Sequence, residues 1–384
     1  METPHRLKLS DAMSLPRNVQ WSSSRERRNI SYGILAFVMT VMMYYITVSD
    51  IMAAPTRSTL STQASPQSPL LHSLFNSYRH PLTAKQFQIP TGETFTRGDD
   101  PRFTEPLGKN VLILDVDSRP LDEPETILSG HLPDLDAIPS DSMVRLSHYI
   151  YGQYQQPPHS IPDVIAPIFL TPLARIHGYD YKLGHPSSQG YPDTWSKVPA
   201  VLDELKKYKY VVFMDADTVL PYPHLPLEWM MDLWGIKKET LIAMTRGVDA
   251  PANYDSHGQI GLNTGFMIAQ QSPRTMEMFE AWKDCVHDLR YPGCSNYTGP
   301  VPHEQYAFGN WVRYDFDGSD EVVTIPCSNA TAEECHGGLL VQYSSNKGKG
   351  MAKAAVQRSI MQYFMGGIQQ ELHREYSQTV DKDS

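Results

Sequence analysis

Short apolar runs recur along the chain after about residue 110. Three of them, Asn110–Asp117, Tyr179–Leu183 and Tyr210–Asp217, are rich in β-branched and aromatic residues. Runs of this length and composition predict strands that are buried on both faces. Two later runs, Thr240–Thr245 and Leu262–Gln270, are also apolar. The pattern therefore predicts a sheet that is covered on both sides.

Segments with the period of a helix lie between and after these runs. In the first of them the apolar face is formed by Met143, Leu146 and Ile150. The order strand, helix, helix, strand, helix, strand predicts an α/β domain with parallel strands. The predicted helices are Asp141–Tyr154, Pro167–Gly178, Trp195–Tyr208, Ser272–Val286 and Gln357–Arg374.

Two carboxylates lie one residue apart at the end of the third run, at Asp215 and Asp217. In α/β sheets, ligands bind outside the carboxyl ends of the strands. No Lys or Arg stands beside the pair in the sequence, so the two charges repel each other unless a cation lies between them. The Asp-x-Asp pattern therefore predicts a divalent metal, which in turn holds a phosphate group.

Two classes of enzyme use such a pattern, and a pair of solvated turn carboxylates is the alternative without chemistry. In a metal-dependent glycosyltransferase, the metal bridges the diphosphate of a nucleotide sugar. In a phosphatase of the haloacid-dehalogenase type, the first Asp is the nucleophile, and Met214–Leu220 fits that signature. The phosphatase also needs a lysine after a Thr or Ser strand end, and no suitable lysine follows Thr245. This disfavours the phosphatase.

An uncharged segment near the N-terminus, Ile30–Ser49, is long enough to cross a hydrocarbon core of about 30 Å. Six basic residues precede it, and Arg57 is the only basic residue between it and Arg79. The positive-inside rule then predicts a cytoplasmic tail (residues 1–29), a transmembrane signal anchor (residues 30–49) and a lumenal or extracellular remainder. A cleaved signal peptide that ends near Ala53–Ala54 is the alternative.

The next segment, residues 50–108, is rich in Ser, Thr, Pro and Gln and has few periodic apolar residues. Such a composition buries too little surface to offset the entropy of ordering, which predicts a flexible stem. From about Pro90 onward this segment can already lie on the folded domain, which is predicted over residues 109–384. The net charge of −10 argues against nucleic acid as a partner.

All four cysteines lie on the predicted non-cytoplasmic side, where an even number suggests disulfides. Three connectivities are possible, and we favour the local pairs Cys285–Cys294 and Cys327–Cys335. A zinc site is the alternative, but the sequence has no Cys-x-x-Cys pair. Asn296 and Asn329 begin N-glycosylation triplets beside these cysteines.

Five short motifs follow one another along the chain: His177–Tyr181, Trp195–Lys197, Asp215–Asp217, Leu262–Phe266 and Glu304–Gln305. Together they resemble the Golgi galactosyl-, mannosyl- and xylosyltransferases of fungi and plants, and more broadly the nucleotide-diphospho-sugar transferases with a GT-A fold. The resemblance spans about residues 110–350. It implies one Rossmann-like GT-A catalytic domain that binds a nucleotide sugar and Mn²⁺ (or Mg²⁺) and transfers the sugar with retention of configuration.

The resemblance implies that four residues contact the nucleotide sugar. Asp115 and Asp117, at the end of the first strand, would lie near the base and ribose. Lys197 would approach the nucleotide, although an exposed helix charge is the plainer interpretation. Lys347 would contact the diphosphate.

A second group would surround the reacting sugar. Asn263, Thr264 and Gly265 would form the floor of the donor and acceptor site, where Gly265 permits a close backbone approach. A tight turn is the plainer interpretation of these three residues. Glu304 and Gln305 would lie near the reacting carbon, with Glu304 as a nucleophile, a positioning group or only a solvated side chain.

The metal ligands are where this chain departs from the family. The resemblance implies that Asp215 and Asp217 bind the metal, together with a His that shortly precedes the last lysine. Here Gln342 stands in that place. An amide oxygen ligates Mn²⁺ more weakly than imidazole does, and His336 is a nearby substitute. A catalytically weak pseudo-glycosyltransferase that only binds is therefore the alternative to an active enzyme.

The resemblance and the predicted anchor together imply a single-pass type II protein of the Golgi membrane with a lumenal catalytic domain. The expected donor is a UDP- or GDP-linked hexose or xylose, and the expected acceptor is a glycan or glycoprotein. Residues 30–49 would provide the membrane contact, and a Golgi glycosyltransferase complex is a further expected partner.

Overall fold

The computed structural model describes residues 78–117, 138–154, 176–184, 193–298, 303–332, 338–343 and 346–383. The predicted tail, signal anchor and much of the predicted stem lie outside these residues, as do most of the helix predicted over Pro167–Gly178, Cys335 and His336. None of the helices within the described ranges is both long and apolar enough to span a membrane.

The described chain is a mixed α/β fold whose strands form three sheets. In chain order the strands are β1 (Gln86–Gln88), β2 (Thr94–Thr96), β3 (Val111–Val116), β4 (Gly152–Tyr154), β5 (Tyr179–Gly184), β6 (Tyr210–Met214), β7 (Thr218–Val219), β8 (Ile242–Arg246), β9 (Leu262–Gln270), β10 (Val322–Ile325), β11 (Ala330–Ala332) and β12 (Leu340–Gln342).

The central sheet has the order β10-β8-β9-β6-β3-β5-β4, beside a hairpin β1-β2 and a small sheet β11-β12-β7. The predicted parallel pairing holds for β3, which runs parallel to both β5 and β6. Strand β9 departs from the predicted parallel pairing, because it runs antiparallel to both of its neighbours, β6 and β8. Because of this reversal, the start of β9 lies beside the carboxyl end of β6, where the Asp-x-Asp pattern follows.

Seven α-helical segments accompany the sheets in the described ranges. They are α1 (Ser140–Tyr151), α2 (Lys197–Leu205), α3 (Leu227–Leu233), α4 (Pro273–Lys283), α5 (Glu304–Ala307), α6 (Arg313–Asp315) and α7 (Asn346–Asp383). A π-helical stretch, Phe308–Val312, joins α5 to α6. Ser272 caps α4, and its side chain accepts the N–H of Thr275. The last helix begins eleven residues before its predicted start at Gln357, at Asn346.

The central strands are buried on both faces, as predicted. Along β3, Val111 and Ile113 belong to one apolar cluster, whereas Leu112 and Leu114 belong to another. All four side chains are at most 1% exposed. Because successive side chains of a strand point to opposite faces, the alternation places an apolar layer on each side of the sheet.

The β1-β2 hairpin packs on the central domain, although it lies in the predicted stem. Phe87 and Phe95 are buried in the same cluster as Trp229 of α3, and the Trp229 indole donates to the carbonyl of Ala84 over 2.7 Å. Each strand of the hairpin carries one buried aromatic residue between two exposed polar ones. Such short alternation gives no long periodic signal in the sequence.

Helix α1 buries a different face from the predicted one. Met143 is buried, but Leu146 and Ile150 are only half-buried. Arg145 and His148 are inside instead, at 4% and 1% exposure. Burial of charged groups requires ionic or hydrogen-bonding partners, which these two side chains find at the end of β3. A hydrophobic-period argument does not detect such a face.

The predicted pair Cys285–Cys294 is a disulfide, with a Cα–Cα distance of 5.0 Å. Cys285 lies in a short 3-10 helix, Asp284–His287, that directly follows α4. The bond joins it to a second short 3-10 helix, Cys294–Thr298, and both cysteines are fully buried. Cys327 is also disulfide-bonded, while its predicted partner Cys335 lies outside the described residues. The local pairing is therefore confirmed for the first pair.

One buried histidine, His177, and two half-buried ones, His80 and His224, predict that the fold loses stability in mild acid. Burial lowers the pKa of His80 and His224 to about 4 and that of His177 to about 3, from an ordinary value of 6.5. The unfolded chain therefore binds more protons below pH 6.5, so each histidine removes at most about 1.4 kcal/mol of stability per pH unit as the pH falls towards 4. Asp217, whose pKa is raised to about 6, opposes part of this loss.

Urea unfolding at about pH 7 and about pH 5 measures this effect. We expect a lower midpoint at the lower pH, and a smaller drop for His177→Gln, whose amide can still donate to the carbonyl of Pro223 as the His177 ring does. The exposed His257 is the matched control, and His257→Gln should leave the drop unchanged. Equal wild-type midpoints at the two pH values would contradict the prediction.

Candidate active site

The Asp-x-Asp pair lies in a turn directly after β6. The N–H of Asp215 donates to the carbonyl of Gly265 over 2.8 Å, and the N–H of Thr218 donates to the carbonyl of Asp215 over 3.0 Å. The turn then continues into β7, which pairs with β12. Asp215 and Asp217 are both half-buried at this edge of the sheet. Backbone hydrogen bonds on both sides thus fix the two carboxylates in place.

Lys197, the first residue of α2, links the pair to the opposite side of the site. Its Nζ lies 3.1 Å from Asp215 Oδ1 and 3.2 Å from Glu304 Oε1. It also lies 4.9 Å from the centre of the Phe213 ring, and it is only 6% exposed. Burial alone would lower the pKa of Lys197, but the carboxylates of Asp215 and Glu304 outweigh burial and raise it. Lys197 is therefore a buried cation and not an exposed helix charge.

Glu304 begins α5 and is 2% exposed. Its Oε1 accepts a hydrogen bond of 2.7 Å from the Thr264 hydroxyl. Burial raises the pKa of Glu304, but Lys197 and the Thr264 hydroxyl lower it by more, so that it lies below its ordinary value. Its Oε2 has no hydrogen-bond partner in the described parts of the chain. The site thus holds an ionised carboxylate with one acceptor oxygen to spare.

Of the two carboxylates, Asp217 is the one whose charge is disfavoured by its surroundings. Burial and the neighbouring charge of Asp215 raise the pKa of Asp217 to about 6, although a hydrogen bond from Gln342 and the charge of Lys197 act in the opposite direction. This is the repulsion that the sequence predicts for two carboxylates one residue apart. A cation bound between them would relieve it.

Asn263, Gly265 and Gln342 fit together beside Asp217. Asn263 Oδ1 accepts the N–H of Gly265, and Asn263 Nδ2 donates to Gln342 Oε1, both over 2.7 Å. A Cβ on Gly265 would stand 2.2 Å from Gln342 Nε2, which is far inside contact distance. The close approach predicted at Gly265 is therefore made by a side chain of the protein.

The side chain of Asp115 is enclosed by other side chains of the protein, and its nucleotide contact remains a prediction. This side chain is 1% exposed, and its two oxygens are engaged by the Tyr181 hydroxyl at 2.7 Å and by His148 Nδ1 at 2.9 Å. Asp117 is 5% exposed, and its Oδ2 lies 3.0 Å from a guanidinium nitrogen of Arg145. Both aspartates contact the buried face of α1 that carries Arg145 and His148, which leaves them inside the protein.

His148 extends this buried network to the turn that carries Asp215 and Asp217. Its Nε2 lies 2.5 Å from the carbonyl oxygen of Thr218, and its Nδ1 faces the carboxylate of Asp115. The network therefore joins β3, α1 and β7, the strand directly after Asp217. Sequence reasoning missed His148 and Arg145, because a helix face of polar residues gives no apolar period. The spacing of three residues between Arg145 and His148 is the one signal that places them on one face.

Three further predicted roles remain predictions. Gln305 is half-buried on α5 next to Glu304. Lys347 lies in the first turn of α7, but its side chain is outside the description, and His336 is outside the described residues.

The residues at this site fit a divalent cation only in part. Asp215 and Asp217 supply hard oxygen donors of the kind that Mn²⁺ and Mg²⁺ prefer, and burial together with the charge of Asp215 raises the pKa of Asp217, which a bound cation would oppose. In the described parts of the chain, no group of three His, Cys, Asp or Glu side chains is arranged to hold a metal. Further ligands would therefore come from phosphate oxygens and water, as is common for Mg²⁺ sites.

The chain resembles glycosyltransferases. It is similar to a "Probable alpha-1,2-galactosyltransferase gmh2" of Schizosaccharomyces pombe, with 28% identity over 28% of this chain and 38% of that protein. The match thus spans well under half the length of this curated relative. No protein-family model matches the chain.

Three solved structures of glycosyltransferases have a similar arrangement. One is involved in the glycosylation of the major capsid of PBCV-1 (11% identity, 64% of this chain, 98% of that one, TM-score 0.39). The others are mouse xyloside xylosyltransferase 1 in its apo form (11%, 63% and 99%, TM-score 0.38) and GlyE of Streptococcus pneumoniae TIGR4 (12%, 68% and 63%, TM-score 0.41). At these TM-scores the likeness is too weak to support a conclusion.

Proposed function

We propose that this chain is a metal-dependent glycosyltransferase with a GT-A fold, which moves a hexose or xylose from a UDP- or GDP-sugar to a glycan or glycoprotein. The observation that carries the proposal is the convergence of Asp215, Asp217, Lys197 and Glu304 at the carboxyl end of β6. The similarity to a galactosyltransferase supports the class and makes galactose one of the candidate sugars.

In this proposal, Asp215 and Asp217 would hold Mn²⁺ or Mg²⁺, and the bound ion would neutralise charge on the leaving diphosphate. Lys197 fixes the orientation of Asp215 through its two contacts, at 3.1 and 3.2 Å. It also supplies a permanent positive charge between the metal-binding turn and Glu304. Such preorganised charges stabilise a transition state without reorganising during the reaction.

Glu304 is suited to stabilise positive charge on the sugar, in contrast to the groups that stabilise the negative diphosphate. Breaking the bond to the diphosphate leaves positive charge on the sugar ring. Glu304 is held ionised by Lys197 and Thr264, so it is a weak proton acceptor but a strong electrostatic partner for that charge. We therefore assign it to the stabilisation and positioning of the sugar, and the leaving phosphate oxygen takes the acceptor's proton in a retaining reaction.

The location is part of the same proposal. Anchoring through residues 30–49, a lumenal catalytic domain and residence in the Golgi agree with the disulfide Cys285–Cys294, which requires an oxidising compartment in most organisms. The exposed Asn296 beside this disulfide suits a glycosylation site.

Nucleotide release from a panel of UDP- and GDP-sugars tests the activity. The full chain is incubated with each donor and a mixture of simple glycosides as acceptors, with Mn²⁺ or with EDTA. We expect Mn²⁺-dependent release from one donor, and a sugar-extended acceptor by mass spectrometry. A folded chain that releases nucleotide from no donor, with every acceptor tried, would refute the enzyme and favour a glycan- or nucleotide-binding pseudo-glycosyltransferase.

A further inference from the structure

The side-chain amides of Asn263 and Gln342 form a hydrogen-bonded chain that lies beside Asp217. The chain begins at the backbone N–H of Gly265, which donates to Asn263 Oδ1 over 2.7 Å. Asn263 Nδ2 then donates to Gln342 Oε1, also over 2.7 Å. The remaining NH₂ group of Gln342 faces the carboxylate of Asp217, and the Gln342 amide lowers the pKa of that carboxylate. We refer to these three links as the amide relay.

The first link fixes the direction of the whole relay. A backbone N–H can only donate, so Asn263 turns its oxygen towards Gly265 and its NH₂ group towards Gln342. Gln342 must then turn its oxygen towards Asn263, which leaves its NH₂ group for Asp217. Gln342 therefore presents a hydrogen-bond donor to the metal-binding turn, whereas a metal ligand would have to present its oxygen.

Packing and backbone pairing hold Gln342 in this place. The side chain is 7% exposed and lies over Gly265, where a Cβ would collide with it. On β12, Gln342 is in register with Thr218 of β7, the residue directly after Asp217. The next N–H along the chain, that of Tyr343, donates to the carbonyl of Asp217 over 2.9 Å. The backbones of Gln342 and Asp217 are thus fixed relative to each other.

We propose that Gln342 is a positioning residue that orients the Asp217 carboxylate for the metal, and that it is not itself a metal ligand. The inference rests on the proposed function, because it presumes that Asp217 binds a cation. It gives Asn263 and Gly265 a shared role, in which Asn263 sets the direction of the Gln342 amide and Gly265 leaves room for it. The sequence alone places Gln342 among the ligands, so this reverses that prediction.

Binding of Mn²⁺ alone tests the relay without any turnover. The free-ion signal in electron paramagnetic resonance gives the Mn²⁺ dissociation constant of the purified full chain in the absence of nucleotide. We expect Gln342→Met and Asn263→Ala each to weaken binding by the same factor, about tenfold, as for other residues that orient metal ligands. The double variant should be no weaker than either single one, because both changes break the same relay.

A ligand role for Gln342 gives a different pattern. Gln342→Met would then weaken binding, whereas Asn263→Ala would leave it unchanged or tighten it, because the Gln342 oxygen would be released for the metal. That result would overturn the inference, and so would unchanged affinity in all three variants. If the wild-type chain bound no Mn²⁺, the proposed function would fail and the inference with it.

Two further variants separate the relay from general damage. Gln270 is a buried glutamine at the far end of β9, where its amide donates to backbone carbonyls. Gln270→Met should leave Mn²⁺ affinity unchanged. If Gln342→Met does not fold, Gly265→Ala displaces the Gln342 amide by crowding and should also weaken binding about tenfold. Wild-type affinity in a folded Gly265→Ala chain would contradict the relay.

Discussion

Asp217→Asn is expected to reduce sugar transfer by about a thousandfold while leaving the metal-free protein at least as stable as the wild type. The activity falls because the variant loses one of the two charges that hold the cation, and electrostatic groups of this kind contribute about 10²–10³ in kcat. Stability is retained because the amide carries no charge to bury and is not repelled by Asp215; burial and this repulsion are what raise the pKa of Asp217. Gln342 can still donate to the oxygen of the new amide.

The two effects are measured separately, as kcat/KM with the donor that the panel identifies and as the urea midpoint in EDTA. The exposed Asp317 provides a matched control, and Asp317→Asn should change neither quantity. An Asp217→Asn enzyme with more than about a tenth of wild-type activity would show that this carboxylate is not part of the metal site.

Lys197→Met is expected to destabilise the fold by about 3–5 kcal/mol, the range for removal of one partner from a buried ion pair. The methionine fills a similar volume, but it leaves Glu304 buried at 2% exposure with no cation beside it. The loss should be largest at neutral pH, where Glu304 is ionised. Urea unfolding in EDTA measures it directly.

A second change distinguishes the charge from the packing. Glu304→Gln added to Lys197→Met removes the unpaired charge, so the double variant should recover part of the lost stability. Lys206 is the control, because it is an exposed lysine that forms an ion pair with Asp203, and both side chains are more than half exposed. Lys206→Met should cost less than about 1 kcal/mol of stability. If Lys197→Met were as mild as the control, Lys197 would not be the buried cation that the site requires.

The buried strands and the helix packed on them could be predicted from the sequence, because they depend on the pattern of apolar residues. The runs at Val111–Val116, Tyr210–Met214 and Leu262–Gln270 are buried strands. The helix predicted over Trp195–Tyr208 contains α2, where the apolar side chains of Val198 and Leu205 are fully buried. A short, continuous apolar run is stable only where all of its side chains are removed from water, so even a short segment indicates a buried strand.

The direction of strand pairing and the burial of polar side chains could not be predicted from the sequence. Nothing in Leu262–Gln270 indicates that this strand runs antiparallel to its neighbours, because the side-chain pattern of a doubly buried strand is the same in both directions. Asp115 sits at a strand end, where ligands commonly bind, but it is occupied by His148 and Tyr181, which are distant in sequence. Only the folded chain shows that this carboxylate is already satisfied.

The same limit applies to Gln342. Its position before Lys347 predicts a ligand, but its orientation depends on Asn263, 79 residues earlier in the chain. An amide is both a donor and an acceptor, so its role is decided by the partner that takes one end. In contrast, Asp215 and Asp217 can only accept when ionised, and their chemistry could be inferred from their spacing.

Calorimetric titration of the full chain with UDP and with GDP is the most direct test of the central claim, that Asp215 and Asp217 hold a cation for a nucleoside diphosphate. The titrations are made in Mn²⁺ and in EDTA, for the wild type and for Asp217→Asn. We predict binding of at least one nucleotide in Mn²⁺ by the wild type, and its loss both in EDTA and in the variant. Equal binding with and without Mn²⁺, or no binding by the folded wild type, would contradict the claim.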